Sequence, residues 1–353
     1  MSKRHTSQSE KQSKGQYFTT NCDEILSGYE SIVSSKSIIE PFAGGGDLTS
    51  WAERNGAVSV KEYDLEPCNS KTIQNDSIAN PPDYSGRIVV TNPPYLSKNK
   101  FKGNKKVFER WDQNDLYKCH LASLSNGCEE ALVIIPSNFL CESSPKARKI
   151  LFENHYIESA KYWETPIFDD ATTGICVLHL KKGKKPFQKF PMIIFPGGDR
   201  ITMILEEKYG FLHGKDFFEF INMSNGNLRV IKTDVGMNPP NTNLVVGLLD
   251  NGIWNNGVRY NDGEPIYCSP KSFTTYQITL VGLEIGNSIQ KDITNNFQLK
   301  FDKFRNQYKS MFLSNYMGPK QKILSRSYVH KFLEVIMSDM GILQSNNIFE
   351  KGR

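Results

Sequence analysis

No apolar run in this chain approaches the roughly 18 residues that a membrane helix needs. The opening "MSKRHTSQSEKQSKGQ" is polar throughout and carries no apolar stretch of the signal-peptide kind. The reading is a soluble, cytoplasmic protein with no membrane partner, whose residues 1–14 form a flexible leader. The 7 cysteines are scattered and odd in number, with no C-x-x-C pair. That pattern argues against a disulfide framework or a zinc site and fits reduced thiols. The 6 histidines are isolated and give no metal-ligand spacing, so no metal is expected. Two familiar glycine loops are missing as well. A phosphate-binding P-loop needs Gly-Lys-Ser/Thr, but Gly45-Gly46 runs into Asp47-Leu48; a dinucleotide fingerprint needs glycine at 49, where Thr49 stands. No P-D…(D/E)-x-K nuclease signature stands out either, so cleavage is not expected.

What is present begins with 353 residues, enough for two domains, and a net charge of +5, a mild bias toward anionic partners. The charge is clustered. "LSKNKFKGNKKVFERW" interleaves Lys98, Lys100, Lys102, Lys105, Lys106 and Arg110 with Phe101, Phe108 and Trp111, and "KKGKKPFQK" covers 181–189. Each is a solvated loop in the plain reading. Two such stretches flanking one pocket point instead to a nucleic-acid backbone.

The first half alternates apolar strand-like runs with helical intervals: "SIIEP" (37–41), "VSVKEYD" (58–64), "RIVVTNP" (87–93), "ALVIIPSN" (131–138), "IESAKYW" (157–163) and "GICVLHL" (174–180). Such alternation predicts an α/β fold with a doubly wound, mostly parallel sheet. The last two runs lie too close for a parallel crossover, which predicts an antiparallel edge strand. Near 185 the texture turns to Gly, Asn, Pro and Thr with short β-like runs, and from about 301 it reads as helical. The domains expected are therefore 15–185, binding the cofactor, and a mixed α+β domain over 186–353.

Chemistry gathers where strands end. "IIEPFAGGGDL" sets a glycine-rich turn directly after the first strand; Gly44 and Gly46 allow a close backbone approach to a ligand, although a plain tight turn reads the same way. The second strand closes on "EYDLEP", where an acid typically accepts ribose hydroxyls. Asp64 is the choice and Glu62 the alternative. Asp76 in "QNDSI" could accept from an adenine amino group or simply cap a turn. A nucleoside-bearing cofactor without a phosphate chain fits this set, and S-adenosylmethionine answers that description. "VTNPPY" ends the next run with two prolines, which cannot continue a ladder. The Asn92 side-chain oxygen and the Pro93 carbonyl are acceptors that could grip an exocyclic amine, and the Tyr95 ring offers a face to a base. Acceptors at tetrahedral directions localise an aromatic amine's lone pair, so attack on a sulfonium methyl needs positioning rather than a general base.

These motifs resemble those of the class I S-adenosylmethionine-dependent N6-adenine DNA methyltransferases in their gamma order, over about residues 14–182. The resemblance implies a Rossmann-like class I methyltransferase sheet and a C-terminal target-recognition domain. It implies cofactor contacts at Tyr17, Phe18 and Thr19 of "GQYFT", at Glu40, Phe42, Gly44 and Gly46, at Asp64 and Asp76, and at Asn92. Catalysis would rest on Asn92, Pro93, Pro94 and Tyr95. Phe168 in "IFDDATTG" would stack on the flipped base together with Tyr95, where the plain reading of a lone phenylalanine before a strand is core packing. Lys98, Lys100, Lys102, Lys105, Lys106 and Arg110 would meet the DNA backbone. Thr20 departs from the proline usual after that threonine. Only a short interval separates Gly46 from Asn92, so a recognition domain must lie C-terminal.

The function implied is site-specific methylation of a flipped adenine in duplex DNA, as the modification enzyme of a restriction-modification system. A cognate endonuclease is then a genetic partner, and the enzyme works as a monomer. N4-cytosine DNA methylation, RNA base methylation and protein glutamine N-methylation use a related corner and stand as alternatives. The N4-cytosine group more often carries Ser-Pro-Pro-Tyr, which leans Asn92 toward adenine.

Overall fold

The computed structural model of the chain describes residues 19–125, 127–163, 165, 167–168, 174–250, 257–269, 274–308, 321–322 and 325–343. Contacts divide it into two units, 1–212 and 213–353.

The first unit is built on strands β1 (Ser37–Glu40), β2 (Ser59–Asp64), β3 (Ile73–Gln74), β4 (Ile88–Thr91), β5 (Glu130–Pro136), β6 (His155–Trp163), β7 (Ile175–Lys182), β8 (Gln188–Phe195) and β9 (Asp199–Glu206). Their order is β9-β8-β6-β7-β5-β4-β1-β2-β3. From β3 through β5 every pairing is parallel. β7 then runs antiparallel to both β5 and β6. β4 is buried along its whole length and β5 from Ala131 to Pro136, as continuous apolar runs covered on both faces require. This is the mainly parallel α/β sheet the alternation predicts.

Two expectations change. The antiparallel strand is not at an edge: β7 is threaded between β5 and β6, and β8 and β9 extend the sheet beyond them. The unit boundary accordingly falls at 212/213 rather than 185. The run "FPMIIFP" overlapping β8 reads as β-like in the sequence, although Pro191 cannot donate to a ladder. The structure places Pro191 just outside the stretch Met192–Phe195 that pairs with β6.

The chain runs from β1 outward through β2 to β3, then returns to β4 on the other side of β1. That reversal is the switch point at which open α/β sheets hold ligands, beyond the strands' carboxyl ends. The glycine turn after β1 and the proline corner after β4 both lie there.

The second unit contains a four-stranded sheet of Val230–Lys232, Thr275–Leu280, Leu244–Gly247 and Gly257–Tyr260, paired antiparallel. Helices Lys215–Ile221, Asn287–Gln307 and Arg326–Asp339 join it, with Phe217, Phe297, Phe301 and Phe332 buried among them. It is mixed α+β, as expected, but the long helix begins at Asn287, well before 301.

Candidate active site

The turn after β1 is tied down by its neighbours. The Ala43 amide donates to the Tyr63 carbonyl and the Gly46 amide to the Ala43 carbonyl, both at 2.8 Å. Gly46 has φ of 83°, a left-handed conformation that glycine takes without a Cβ penalty, and helix Asp47–Arg54 starts directly after it. Asp64, at the end of β2, accepts the Gly44 amide on Oδ2 and the Glu66 amide on Oδ1, each at 2.8 Å. Asp64 therefore fixes the glycine turn and keeps lone pairs for a ligand's hydroxyl donors. Glu62 faces elsewhere and accepts the Thr72 hydroxyl at 2.6 Å.

These elements enclose a cavity of about 730 Å³. Thr19, Phe42, Gly44, Asp64, Asp76, Asn92 and Pro94 all line it, so residues far apart in sequence meet on one wall. Asp76 also caps its own turn, accepting the Ile78 amide at 3.2 Å and the Ala79 amide at 3.0 Å. Asp76 thus caps its turn and also borders the cavity. Glu40, Gly46, Pro93, Tyr95 and Phe168 do not line the cavity. Tyr17 and Phe18 lie outside the described residues.

Glu40 sits behind the turn, fully buried; its Oε1 accepts the Phe42 amide at 2.8 Å and the Thr91 hydroxyl at 2.7 Å. Oε2 has no partner among the described residues, and burial pushes the carboxyl up to about 8. A protonated Glu40 can bind the ends of β1 and β4 together without stranding a charge in the core. These bonds give it a supporting place beneath the glycine turn. Phe168 is buried at 5% exposure, and the Asn21 amide donates to the neighbouring Ile167 carbonyl at 3.1 Å.

At the corner, Asn92 is 9% exposed. Its Nδ2 donates to Thr19 Oγ1 at 3.0 Å. The Tyr95 hydroxyl lies against Asn92 Oδ1 and against the Ile134 carbonyl, the latter at 2.9 Å. The Tyr95 ring meets Tyr117 edge-on, with centroids 6.1 Å apart.

Sequence reasoning missed the role of the 96–115 segment in the fold. It is a packed wall, bridged at its base by Ser97 and Asp115 and carrying helix Lys106–Arg110. Phe108, Leu96 and Leu116 are buried with Ile78, and Phe42, Phe101 and Trp111 pack against them. Trp111 Nε1 donates to the Ile78 carbonyl at 2.9 Å, and Arg110 donates to the Ala79 carbonyl. The aromatic spacing carried this signal, since Phe101, Phe108 and Trp111 have an apolar surface to cover. Of the six basic candidates, Lys102, Lys106 and Arg110 line the cavity; Lys98 lies 3.8 Å from Glu109. The second basic stretch does not flank the site. Lys181 pairs in register with Glu130 at the amino end of β5, at the other end of the strands.

The cavity's donor set can be tested against the expected cofactor. Asp47, Asp64, Glu66 and Asp76 all line it. These carboxylates suit ribose hydroxyls, an amino group and a sulfonium, and Lys102, Lys106 and Arg110 bring positive charge to the same lining. The residues present fit S-adenosylmethionine.

The sheet, the glycine turn and the asparagine–proline corner define the class: an S-adenosylmethionine-dependent methyltransferase fold. Residues 87–168, from the start of β4 through Phe168, are similar to the family model of the Eco57I restriction-modification methylase, a match over less than a quarter of the chain. None of the curated proteins is a match. Among solved structures, the type IIG restriction endonuclease BpuSI is 15% identical with a TM-score of 0.43, over 64% of this chain and 38% of that one. The EcoKI M protein of a type I restriction enzyme is 12% identical with a TM-score of 0.39, over 93% and 71%. The type I restriction-modification methyltransferase subunit from Streptococcus thermophilus is 15% identical with a TM-score of 0.37, over 54% and 47%. The chain thus spans well under two thirds of the length of BpuSI and of the Streptococcus subunit.

Proposed function

We propose that this chain transfers a methyl group from S-adenosylmethionine to the N6 amino group of an adenine flipped out of duplex DNA, as the modification enzyme of a restriction-modification system. The observation that carries the reading is the position of Asn92, which borders the same cavity as the glycine turn and Asp64. An amine held there faces the place where a nucleoside cofactor's methyl would point.

Each residue has a role in this reading. Asp64 accepts the ribose hydroxyls and Asp76 the amino group of the cofactor's adenine. Asn92 Oδ1 and the Pro93 carbonyl accept the two hydrogens of the target amine and draw its nitrogen toward a tetrahedral shape. The cofactor, when bound, supplies an electrophilic sulfonium methyl. Asn92 Oδ1 and the Pro93 carbonyl would hold the amine with its lone pair directed at that methyl and would keep accepting its hydrogens until one proton leaves. Positioning and electrostatics carry the rate. Extruding the base costs a few kcal/mol, which stacking on Tyr95 and Phe168 would offset; Phe168 must leave its buried place to do so. Lys102, Lys106 and Arg110 supply positive charge for the phosphates beside the flipped nucleotide, and residues 213–353 read base edges. The enzyme acts as a monomer, since one pocket modifies one strand per visit, and a cognate endonuclease is its genetic partner.

The test is transfer of labelled methyl to duplex DNA, followed by digestion to nucleosides and mass detection. N6-methyl-2′-deoxyadenosine is the expected product. N4-methyl-2′-deoxycytidine would overturn the base assignment, and label found only on RNA or protein would overturn the polymer.

A further inference from the structure

Helix Arg326–Asp339 buries every residue from Phe332 to Met337, all of them apolar except Glu334. Glu334 is only 4% exposed, and both of its carboxyl oxygens go to one loop. Oε2 accepts the Ser224 hydroxyl at 2.6 Å, and Oε1 accepts the Asn227 amide at 2.8 Å. A carboxyl group in such a place is costly to desolvate, and an apolar side chain of similar size would pack there as well or better. Stability alone does not explain the acid. The loop that it holds does.

That loop, residues 222–229, joins helix Lys215–Ile221 to strand Val230–Lys232 and reads "NMSNGNLR". At its start the Met223 amide donates to the Phe220 carbonyl at 3.1 Å, and the Ser224 amide to the Ile221 carbonyl at 3.2 Å. At its end the Arg229 carbonyl accepts the Val281 amide at 3.0 Å. Gly226, with φ of 76°, makes the bend between them. These ties leave the side chains of Asn225, Asn227 and Arg229 exposed on a fixed backbone.

From this arrangement we infer that the 222–229 loop reads base edges in the major groove, with Asn225, Asn227 and Arg229 as the reading side chains and Glu334 as the residue that positions them. The inference rests on the function proposed above. The side-chain chemistry fits the task. An asparagine amide carries a donor beside an acceptor and matches N6 and N7 of adenine, and an arginine fork matches O6 and N7 of guanine. No acidic residue stands between Glu219 and Asp234, whereas Arg229 and Lys232 do, so the loop can approach a groove walled by phosphates. Discrimination between bases also needs the reading group held in place, since a side chain on a loose backbone can shift to suit the wrong pair.

The experiment uses the full chain, S-adenosylmethionine and a pool of duplexes of randomised sequence. Methylated adenines are located by sequencing, which gives the preference at each neighbouring base position. N225A, N227A, R229A, E334L and E334Q are compared with the unaltered chain, and calorimetry follows cofactor affinity in each. Each alanine variant should lose about tenfold or more of the discrimination at one position, an A·T pair for either asparagine and a G·C pair for Arg229. The other positions and the cofactor affinity should stay as they are. E334L removes both ties but keeps the bulk, so it should blur those positions together. E334Q keeps an acceptor for the Asn227 amide and offers its own NH2 to the Ser224 oxygen, and it should retain the preferences. The alanine changes lie on the exposed loop and decide the matter even where E334L unfolds. Preferences in all three identical to those of the unaltered chain overturn the inference. So does a uniform weakening across sequences with a shallower salt dependence, the mark of phosphate contacts. Transfer by the unaltered chain without any base preference overturns it too, and leaves the methyltransferase reading intact. Absence of transfer to DNA by the unaltered chain sinks that reading, and the inference falls with it.

Discussion

The two ends of the central sheet carry similar lysine-rich sequence and very different structure. Beyond the carboxyl ends of β1 and β4, the 98–111 stretch folds over a cavity, anchored by Trp111 and Arg110. At the amino end of β5 the 181–189 stretch sits among surface contacts: Lys181 lies 4.0 Å from Glu130, and Lys185 lies 3.5 Å from the Tyr156 ring centroid. The two are separated by the length of β5, about 20 Å at roughly 3.3 Å per residue. Basic residues alone do not tell which end of a strand they will occupy. The aromatic residues between them do, because three large rings in fourteen positions must be buried against something.

Experiment can separate the two ends, starting at the carboxyl one. Asn92→Ala should lower methyl transfer by about a hundredfold or more, the scale for removing one preorganised polar group. Cofactor affinity measured by calorimetry should change little. Loss of affinity alongside the rate would show that the corner holds the cavity open rather than gripping a substrate.

A matched pair of triple variants comes next. Lys102, Lys106 and Arg110 changed together to Gln should weaken DNA binding and reduce the slope of log affinity against log salt by up to about 2.7, near 0.9 for each phosphate no longer neutralised. Lys181, Lys184 and Lys185 changed to Gln should leave that slope unchanged. Equal effects would erase the distinction between the two ends.

Smaller still is Trp111→Phe, which removes the bond to the Ile78 carbonyl while keeping most of the buried ring. It should cost about 1 kcal/mol in denaturant unfolding and weaken cofactor binding severalfold, since Ile78 and Ala79 line the cavity. Stability and affinity both unchanged would show that the wall does not depend on this anchor.

The mildest effect concerns pH. The folded-state pKa of Glu40 is raised to about 8 from its ordinary 4.5. Between those values the folded chain holds a proton that the unfolded chain has released. Its contribution to stability is fully present below about 4.5, declines as pH rises, and is gone above about 8. Glu40→Gln cannot ionise, so unfolding free energy measured for both forms should show the unaltered chain losing ground to the variant across that window. A constant difference would mean that Glu40 stays charged when folded.

Much of this was legible in the sequence. All six apolar runs of the first half became strands within one or two residues, because buried parallel strands are written as short continuous apolar segments. Gly44, Asp64, Asp76, Asn92 and Pro94 could be picked out by their positions after strands, Thr19 and Phe42 through the family resemblance, and the fold brings those seven to one cavity. What escaped depended on pairing partners that no local pattern specifies. β7 ran into the middle of the sheet rather than to its edge. β8 joined the first unit although the change of texture near 185 assigned its β-like run to the second. The support role of Glu40 required knowing that Thr91 would lie beside it. The Thr19–Asn92 bond likewise joins segments with no pattern in common.

The position of β7 also bears on how this chain comes off the ribosome. β5, the apolar "EALVIIP", gains one neighbour when β4 is already made, but its other edge stays bare until residue 182 has emerged. β6 is synthesised first and cannot fill the gap, because the strand belonging beside β5 comes after it. For that interval the nascent chain exposes a mostly apolar, β-prone edge of the sort that recruits other chains. A fragment cut to 87–168 would keep that edge for good, so the smallest soluble piece of this half should have to run past Lys182.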